Sequence, residues 1–390
     1  MIIRNAEIYR ENHRFEPGDL IIRGGRIRSG SSSIFPESGE EIIDASGLLA
    51  IPGLVDIHLH GAMGQDFSEG SPEGLIRIAR YEAEHGVLAV CPAAMTLPEE
   101  KLEKVMDSAA SFRYLQETGE SEPAADLVGI RLEGPFLNRE KAGAQDPRYI
   151  LPPDPDLFLR LQARCGGLIR ICDLAPEEPG ALEFIQEMKD RVRISLAHTT
   201  ADYETAKTAF SLGAKQLTHL FNAMPGISHR SPGPIAAAAD CSADAELISD
   251  GVHIHPAVVR LAFRIFGPEH IILISDSMEG TGLSDGTYRL GGQDVCVSGP
   301  RAVLSAHPEV IAGSVTNLYD CMKTAVKKCG IPLEQAVRAA SENPARAIGL
   351  ERDYGSLQPG VFGNLILIDR ALTPVLIIKK GQIIWQRGSC

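Results

Sequence analysis

Along most of the chain, short apolar runs rich in β-branched residues alternate with longer stretches in which apolar positions recur every three or four residues. Eight runs have strand character: 54–60 (LVDIHLH), 87–95 (VLAVCPAAM), 127–136 (LVGIRLEGPF), 169–176 (IRICDLAP), 193–200 (RISLAHTT), 216–224 (QLTHLFNAM), 245–253 (AELISDGVH) and 270–278 (HIILISDSM). Between them, 72–85 (PEGLIRIARYEAEH), 98–117, 180–190 and 203–212 (YETAKTAFSL) carry the helical period. Strands that alternate with helices form parallel sheets, and eight such units suit a closed barrel better than an open doubly wound sheet. The expected fold class is therefore α/β, a (β/α)8 TIM-like barrel over 53–357. An inserted hairpin is expected at 288–300 and a helical segment at 314–350.

The two ends follow a different rule. Residues 1–52 alternate apolar and polar around the turn Gly24-Gly25, and 362–369 (FGNLILID) and 375–387 (VLIIKKGQIIWQR), with a Lys-Gly turn, read as further strands. Period-2 alternation around such turns marks antiparallel strands. Residues 1–52 plus 358–390 are expected to pair into one small discontinuous β domain.

Composition narrows the function classes. With 44% hydrophobic and 23% charged residues, the chain is an ordinary globular protein rather than a disordered one. A net charge of -13 disfavours nucleic acid and anionic membranes as partners, because an acidic surface gains nothing from displacing their counterions. No apolar run approaches the roughly 18 residues of a membrane span, and the N-terminus MIIRNAEIYR has no long apolar core, so a cytoplasmic location is expected. The eight cysteines include no CxxC pair and are expected to be reduced.

Polar residues fall at one place in the strand runs. His58, His60, Glu133, His198, His219, His253 and Asp276 all lie near a strand's C-terminal end, the face where barrel enzymes keep their chemistry. Imidazole and carboxylate donors suit Zn, Fe, Mn or Co, and a catalytic site needs about three protein ligands. Glu133, His198 and His219 supply that set. Singly, each histidine reads as a hydrogen-bonded or surface residue; three strand ends carrying such residues, with a carboxylate too costly to bury alone, favour a cation. His58 and His60, at i and i+2, read either as a second grip on metal or as an inward polar pair bonded to Asp56. By alternation Asp56, His58 and His60 face one way. Asp276 reads as a ligand or as a general base. Arg230 by itself reads as a solvated loop charge, and His85, His229, His255, His270 and His307 as surface or packing residues.

The motifs LEGPFLN (132–138), AHTTA (197–201), THLFNAMPG (218–226), DGVH (250–253), SDSM (275–278) and ENPAR (342–346), with PGLVDIHLHG (52–61), resemble in this order the N-acetylglucosamine-6-phosphate deacetylase family of the amidohydrolase superfamily. The resemblance spans nearly the whole chain. It implies a barrel inserted in a small β-sandwich, a homodimer, and release of acetate from an amino-sugar phosphate. It assigns Glu133, His198 and His219 as metal ligands, with His58 and His60 marking the branch that holds two divalent ions per subunit, bridged by Glu133. Asp276 becomes the carboxylate acting as general base and then acid, while water polarised by metal attacks the acetyl carbonyl. Asn222, the backbone of Ala223 and His253 match substrate-holding positions, and Arg230 matches an arginine that reaches the phosphate from the neighbouring subunit.

Two departures stand out. Gln145 occupies a position where some members have a carbonyl-polarising histidine; its amide donates the same hydrogen bond but transfers no proton. Arg131 replaces a histidine and, facing inward with Glu133, is expected to pair with a barrel carboxylate. The competing functions are deacetylation of N-acetylgalactosamine 6-phosphate, hydrolysis of a cyclic amide, and a non-catalytic binding role.

Overall fold

The computed structural model describes residues 1–29, 36–37, 39–120 and 123–388. Its centre is a barrel of parallel strands in chain order: Leu54–Asp56, Val87–Val90 continued by Ala93–Ala94, Asp126–Leu127 continued by Ile130–Leu132, Ile169–Leu174, Arg193–Leu196, Gln216–Leu217, Asp244–Ile248 and Ile271–Ile274. Each strand pairs in parallel with the next. Closure between last and first comes from Asp276 N–H donating to His58 O at 2.9 Å and His60 N–H donating to Ser277 O at 2.7 Å. All eight runs read from the sequence are strands of this barrel.

The helices form because each has one apolar face to bury. In Pro72–Glu84, Leu75, Ile78, Ala79, Glu82 and Ala83 are buried, Ser71 caps the N-terminus through Gly74 N–H, and Pro72 opens the first turn. Glu99–Thr118, Ala181–Met188 and Tyr203–Leu212 lie where the helical period predicts them. The insertion is larger than a hairpin: Gly286–Leu290, Gln293–Ser298 and Arg301–Leu304 form a three-stranded antiparallel sheet. The 314–350 segment holds Leu318–Lys327, Leu333–Ala340 and Glu342–Ala347.

The chain ends meet in one eight-stranded sheet, in the order Gln382–Gln386, Pro374–Lys379, Leu365–Ile368, Leu49–Pro52, Ile2–Tyr9, Phe15–Arg23 and Arg26–Arg28, with Ile42–Asp44 added beside Ile2–Tyr9. The Lys380-Gly381 turn splits the 375–387 run into two strands, both turn residues having positive φ (48° and 79°). This sheet has its own apolar cluster, including Ile3, Ile8, Leu20, Ile22, Leu365 and Ile378. It is tied to the N-terminal ends of the barrel strands. Asp126 receives Lys379 at 2.7 Å and Lys380 at 2.9 Å, and Tyr354 donates its hydroxyl to Asp126 at 2.8 Å.

The seven described cysteines are unpaired, and Cys390 lies outside the described residues. Among the described residues, no helix is long and apolar enough to cross a membrane.

Candidate metal centre and active-site cleft

The barrel strands end just before the residues that matter. Glu133 follows Leu132 directly, while His198, His219 and Asp276 come two residues after Leu196, Leu217 and Ile274. At those three positions the backbone leaves the β region for positive φ, 43° at His198, 26° at His219 and 50° at Asp276. A side chain with a Cβ holds such a conformation at a cost of about 1–3 kcal/mol, and surroundings that enforce it cluster at functional sites. The chain thereby turns sharply inward where its donor atoms are needed. Gly134, after Glu133, serves the same end: at φ 108°, a Cβ there would lie 2.1 Å from Thr96 Oγ1. Only glycine lets the Glu133 strand end lie so close to the second strand.

Two donor sets result, His58 with His60 and Glu133, and Glu133 with His198 and His219. In each set the donor atoms lie within 4.8 Å of one another, and all five residues are buried. Glu133 faces both sets: Oε1 is 3.2 Å from Nε2 of His198 and 3.2 Å from Nε2 of His219, and Oε2 is 3.2 Å from Nε2 of His60. Asp276 closes the other side, its Oδ1 3.0 Å from His60 Nε2 and 3.7 Å from His58 Nε2.

The outer ring nitrogens test whether a cation fits. His60 Nδ1 contacts Ala93 O at 3.2 Å, and His198 Nδ1 contacts Lys141 O at 2.7 Å. A carbonyl only accepts, so each Nδ1 carries a proton and a neutral ring turns its Nε2 lone pair toward Glu133. His198 and His219 also bring their Nε2 atoms to 3.1 Å of each other. Lone pairs facing lone pairs repel unless a proton or cation lies between them. His58 Nε2 and Glu133 Oε2 are moreover buried without a hydrogen-bond partner. The donor set therefore fits divalent metal.

With protons alone, the balance is extreme. Burial and Arg131 both disfavour a charged His58, yet Glu133 and Asp276 push it up to about 10. Burial likewise opposes the charged carboxylates, but His58, His198 and His219 hold Glu133 well below its usual range, and His58 and His60 hold Asp276 down to about 2. Both carboxylates are ionised at neutral pH, as ligand and base chemistry require.

The structure corrects one alternation. The first strand ends at Asp56, so strict parity does not carry through to His60. Asp56 Oδ1 accepts the backbone N–H of His58, at 3.1 Å, whereas the imidazole is held by Glu246 at 3.1 Å. Asp56 shares its buried surroundings with Ser275 and Glu82, and burial pushes it up to about 7. Arg131 does pair with barrel carboxylates. It is fully buried, bidentate to Asp173 (2.8 Å to each oxygen), bonded to Glu246, and donates to Thr218 Oγ1 at 2.7 Å.

Above the centre opens a cleft of about 390 Å³ lined by His60, Glu133, His198, His219 and Asp276 together with Gln145, Asn222, Ala223 and His253. That volume suits a small ligand. Gln145 is buried, and its Oε1 accepts Thr96 N–H at 2.7 Å, which fixes the amide so that the NH2 end donates to Met95 Sδ at 3.4 Å. Asn222 donates Nδ2–H to His219 O and Leu220 O at 3.1 and 3.2 Å. His253 is oriented by Asp250, 2.7 Å from its Nδ1; burial disfavours its charge, but Asp250 raises its basicity above the ordinary value. Arg230 is exposed on the loop after the sixth strand and does not line the cleft of its own chain. Outside the site, His85 contacts Tyr81 O, His255 caps a helix, His270 pairs with Asp244 and His307 with Glu309.

Sequence reading passed over Glu246 and Asp173 beneath the centre, and Lys141 and Glu309 at the cleft. For the first two a signal existed, a carboxylate inside an otherwise apolar barrel run. Lys141 ends the single 3-10 turn Arg139–Lys141 and Glu309 lies in a loop, and neither period nor parity reaches such short or irregular segments.

Comparison with known proteins agrees with this geometry. Residues 49–384 match the amidohydrolase family. The chain is 34% identical to the N-acetylglucosamine-6-phosphate deacetylase of Bacillus subtilis (strain 168) over 386 residues, 98% of this chain and 96% of that one. It is 32% identical to the N-acetylgalactosamine-6-phosphate deacetylase of Escherichia coli O157:H7 over 360 residues, 92% and 93% of the two chains. Among solved structures, a mutant N-acetyl-D-glucosamine-6-phosphate deacetylase from Mycobacterium smegmatis, in complex with N-acetyl-D-glucosamine-6-phosphate, superposes with a TM-score of 0.89 at 32% identity, covering 98% of each chain.

Proposed function

This chain belongs to the amidohydrolase family, within it to the N-acetylglucosamine-6-phosphate deacetylases, and from that premise we propose how its residues divide the work. The enzyme hydrolyses the acetamide of N-acetylglucosamine 6-phosphate to acetate and glucosamine 6-phosphate. The observation that carries this reading is the pair of donor sets sharing Glu133, with Asp276 opposite, at the floor of a single cleft.

His58, His60 and Glu133 would hold one divalent ion, and Glu133, His198 and His219 the other. Such ions lower the pKa of a coordinated water toward about 7 and polarise a carbonyl. Asp276 accepts the proton of the attacking water through its carboxylate. It then delivers that proton to the amide nitrogen, so that the amine leaves neutral. Gln145 donates from its fixed NH2 to the acetyl carbonyl oxygen as negative charge develops there. Asn222 and the backbone of Ala223 hold the phosphate end, and His253, steadied by Asp250, hydrogen-bonds the sugar. Arg230, exposed and away from its own cleft, reaches the phosphate of the neighbouring subunit in a homodimer. Residues 1–52 with 358–390 form a small β-sandwich domain supporting the barrel of 53–357, and the enzyme works in the cytoplasm.

The similarity to an N-acetylgalactosamine-6-phosphate deacetylase supports one second reading, the galacto epimer as substrate. A cyclic amide gives no role to phosphate-holding residues, and a non-catalytic role none to Asp276. Acetate release from N-acetylglucosamine 6-phosphate, its galacto epimer and the unphosphorylated sugar tests the proposal. The gluco phosphate should have the highest kcat/KM; preference for the epimer, or equal turnover of the unphosphorylated sugar, would overturn the substrate assignment.

A further inference from the structure

Resting on that reading of the metal centre, we infer that Glu246 is the positioning residue for the half of the centre built on His58. The buried chain Asp173–Arg131–Glu246–His58 sets how tightly that half holds its ion, separately from the half built on His198 and His219.

Glu246 lies within the seventh barrel strand and is fully buried, as are His58, Arg131 and Asp173. A carboxylate in an apolar strand is retained only if its charge is matched. Here Oε1 accepts from Arg131 and from Gln216 Nε2, and Oε2 lies 3.1 Å from His58 Nδ1 and accepts the His219 backbone N–H at 3.3 Å. Arg131 stays charged at all relevant pH, so its contact keeps Glu246 ionised. An ionised carboxylate only accepts. His58 therefore carries its proton on Nδ1 and points Nε2 at the centre, where that atom has no hydrogen-bond partner.

The partners of the other rings differ in kind. His60 and His198 rest on neutral backbone carbonyls, those of Ala93 and Lys141, and His219 Nδ1 is buried without a hydrogen-bond partner. Among the five residues proposed as ligands, His58 is the one whose ring leans on an anion through its outer nitrogen. A carboxylate partner fixes ring orientation and raises the basicity of the ligating nitrogen, and losing such a partner typically lowers metal affinity 10- to 100-fold. Counting Arg131 as positive and Asp173 and Glu246 as negative, the buried chain leaves one negative charge below His58. The asymmetry between the two halves is thus built into the barrel interior, away from substrate.

The test is competition for Zn2+ between a chelator and the full-length, zinc-loaded enzyme, for the wild type, Glu246→Gln and His58→Ala, with bound metal counted by elemental analysis and folding followed by circular dichroism. Glu246→Gln should lose affinity for one ion by roughly 10- to 100-fold and keep the other unchanged. His58→Ala should lose that same ion. Wild-type affinity for both ions in Glu246→Gln, or an equal weakening of both, overturns the positioning role while leaving the two-ion centre intact. If the wild type instead holds a single ion that His58→Ala leaves in place, the two-ion reading fails and takes the inference with it. Should Glu246→Gln not fold, nitrogen-15 NMR of histidine-labelled wild type decides: His58 must show a protonated, exchange-protected Nδ1, and a His58 protonated on Nε2 in the zinc-loaded protein overturns the proposal.

Discussion

Asp276 Oδ1 lies 3.0 Å from His60 Nε2, across the seam where the eighth barrel strand closes on the first. The relationship joins residues 216 positions apart and puts a carboxylate from one side of the seam against an imidazole from the other. In the proposed reading Asp276 has two separable jobs, as a neighbour of the ions and as a proton carrier.

Asp276→Asn separates them. The amide keeps the shape but accepts no proton, so kcat should fall by roughly 100- to 10,000-fold with substrate affinity retained. Metal content measured on the same preparation discriminates between the jobs: two ions with lost turnover support the proton shuttle, and a lost ion makes Asp276 chiefly an anchor.

Metal stoichiometry should reach two per chain after reconstitution with excess Zn or Fe. Removal by chelator should abolish turnover, and readdition should restore it. A plateau at one ion per chain, measured by elemental analysis, would leave the His198, His219 and Glu133 set alone as the site.

Gln145→Ala should lower kcat/KM by roughly 100-fold, the loss typical of removing one donor aimed at developing oxyanion charge. The Thr96 N–H bond to Oε1 already orients the wild-type amide, so little rearrangement is needed on substrate binding. Steady-state rates equal to wild type would remove Gln145 from the chemistry.

Arg230→Ala should raise KM for the phosphorylated substrate by roughly 10- to 150-fold, the equivalent of about 1.5–3 kcal/mol for a charge-assisted hydrogen bond. Kinetics combined with sedimentation test both parts of the proposal. An unchanged KM removes the phosphate role, and a fully active monomer removes the partner subunit's contribution.

At the opposite end of the barrel, Asp126 makes stability depend on acid. Burial opposes its charge, but Lys379 and Lys380 hold its pKa below the ordinary value. Its contribution is therefore complete above the unfolded carboxylate pKa of about 3.9 and is lost as pH falls through the lower folded value. Asp126→Asn should lower stability at pH 7 by about 3 kcal/mol, the low end for breaking a buried pair, because Lys380 is 39% exposed. Thermal midpoints of wild type and variant, measured from pH 7 to pH 3, should converge on acidification; parallel profiles would deny the ion pair its role.

What the linear chain determined by itself was whatever depends on local period and on strand ends. Eight apolar runs separated by helical stretches specify a barrel because helix and strand expose different faces at different periods, and buried parallel strands tolerate few polar residues. The exceptions to that apolarity at Glu133, His198, His219 and Asp276 were legible for the same reason. Tertiary structure alone decided which partners these residues meet. Parity through Asp56 suggested a ring partner for His58 from its own strand, but the strand stops at Asp56, and barrel closure brings Glu246, 188 residues away, to the imidazole. Arg131 could be read as inward, yet which carboxylates answer it, Asp173 and Glu246, depended on strand stagger around the barrel. Register between distant strands is set by the packing of the whole closed sheet, and no local pattern encodes it.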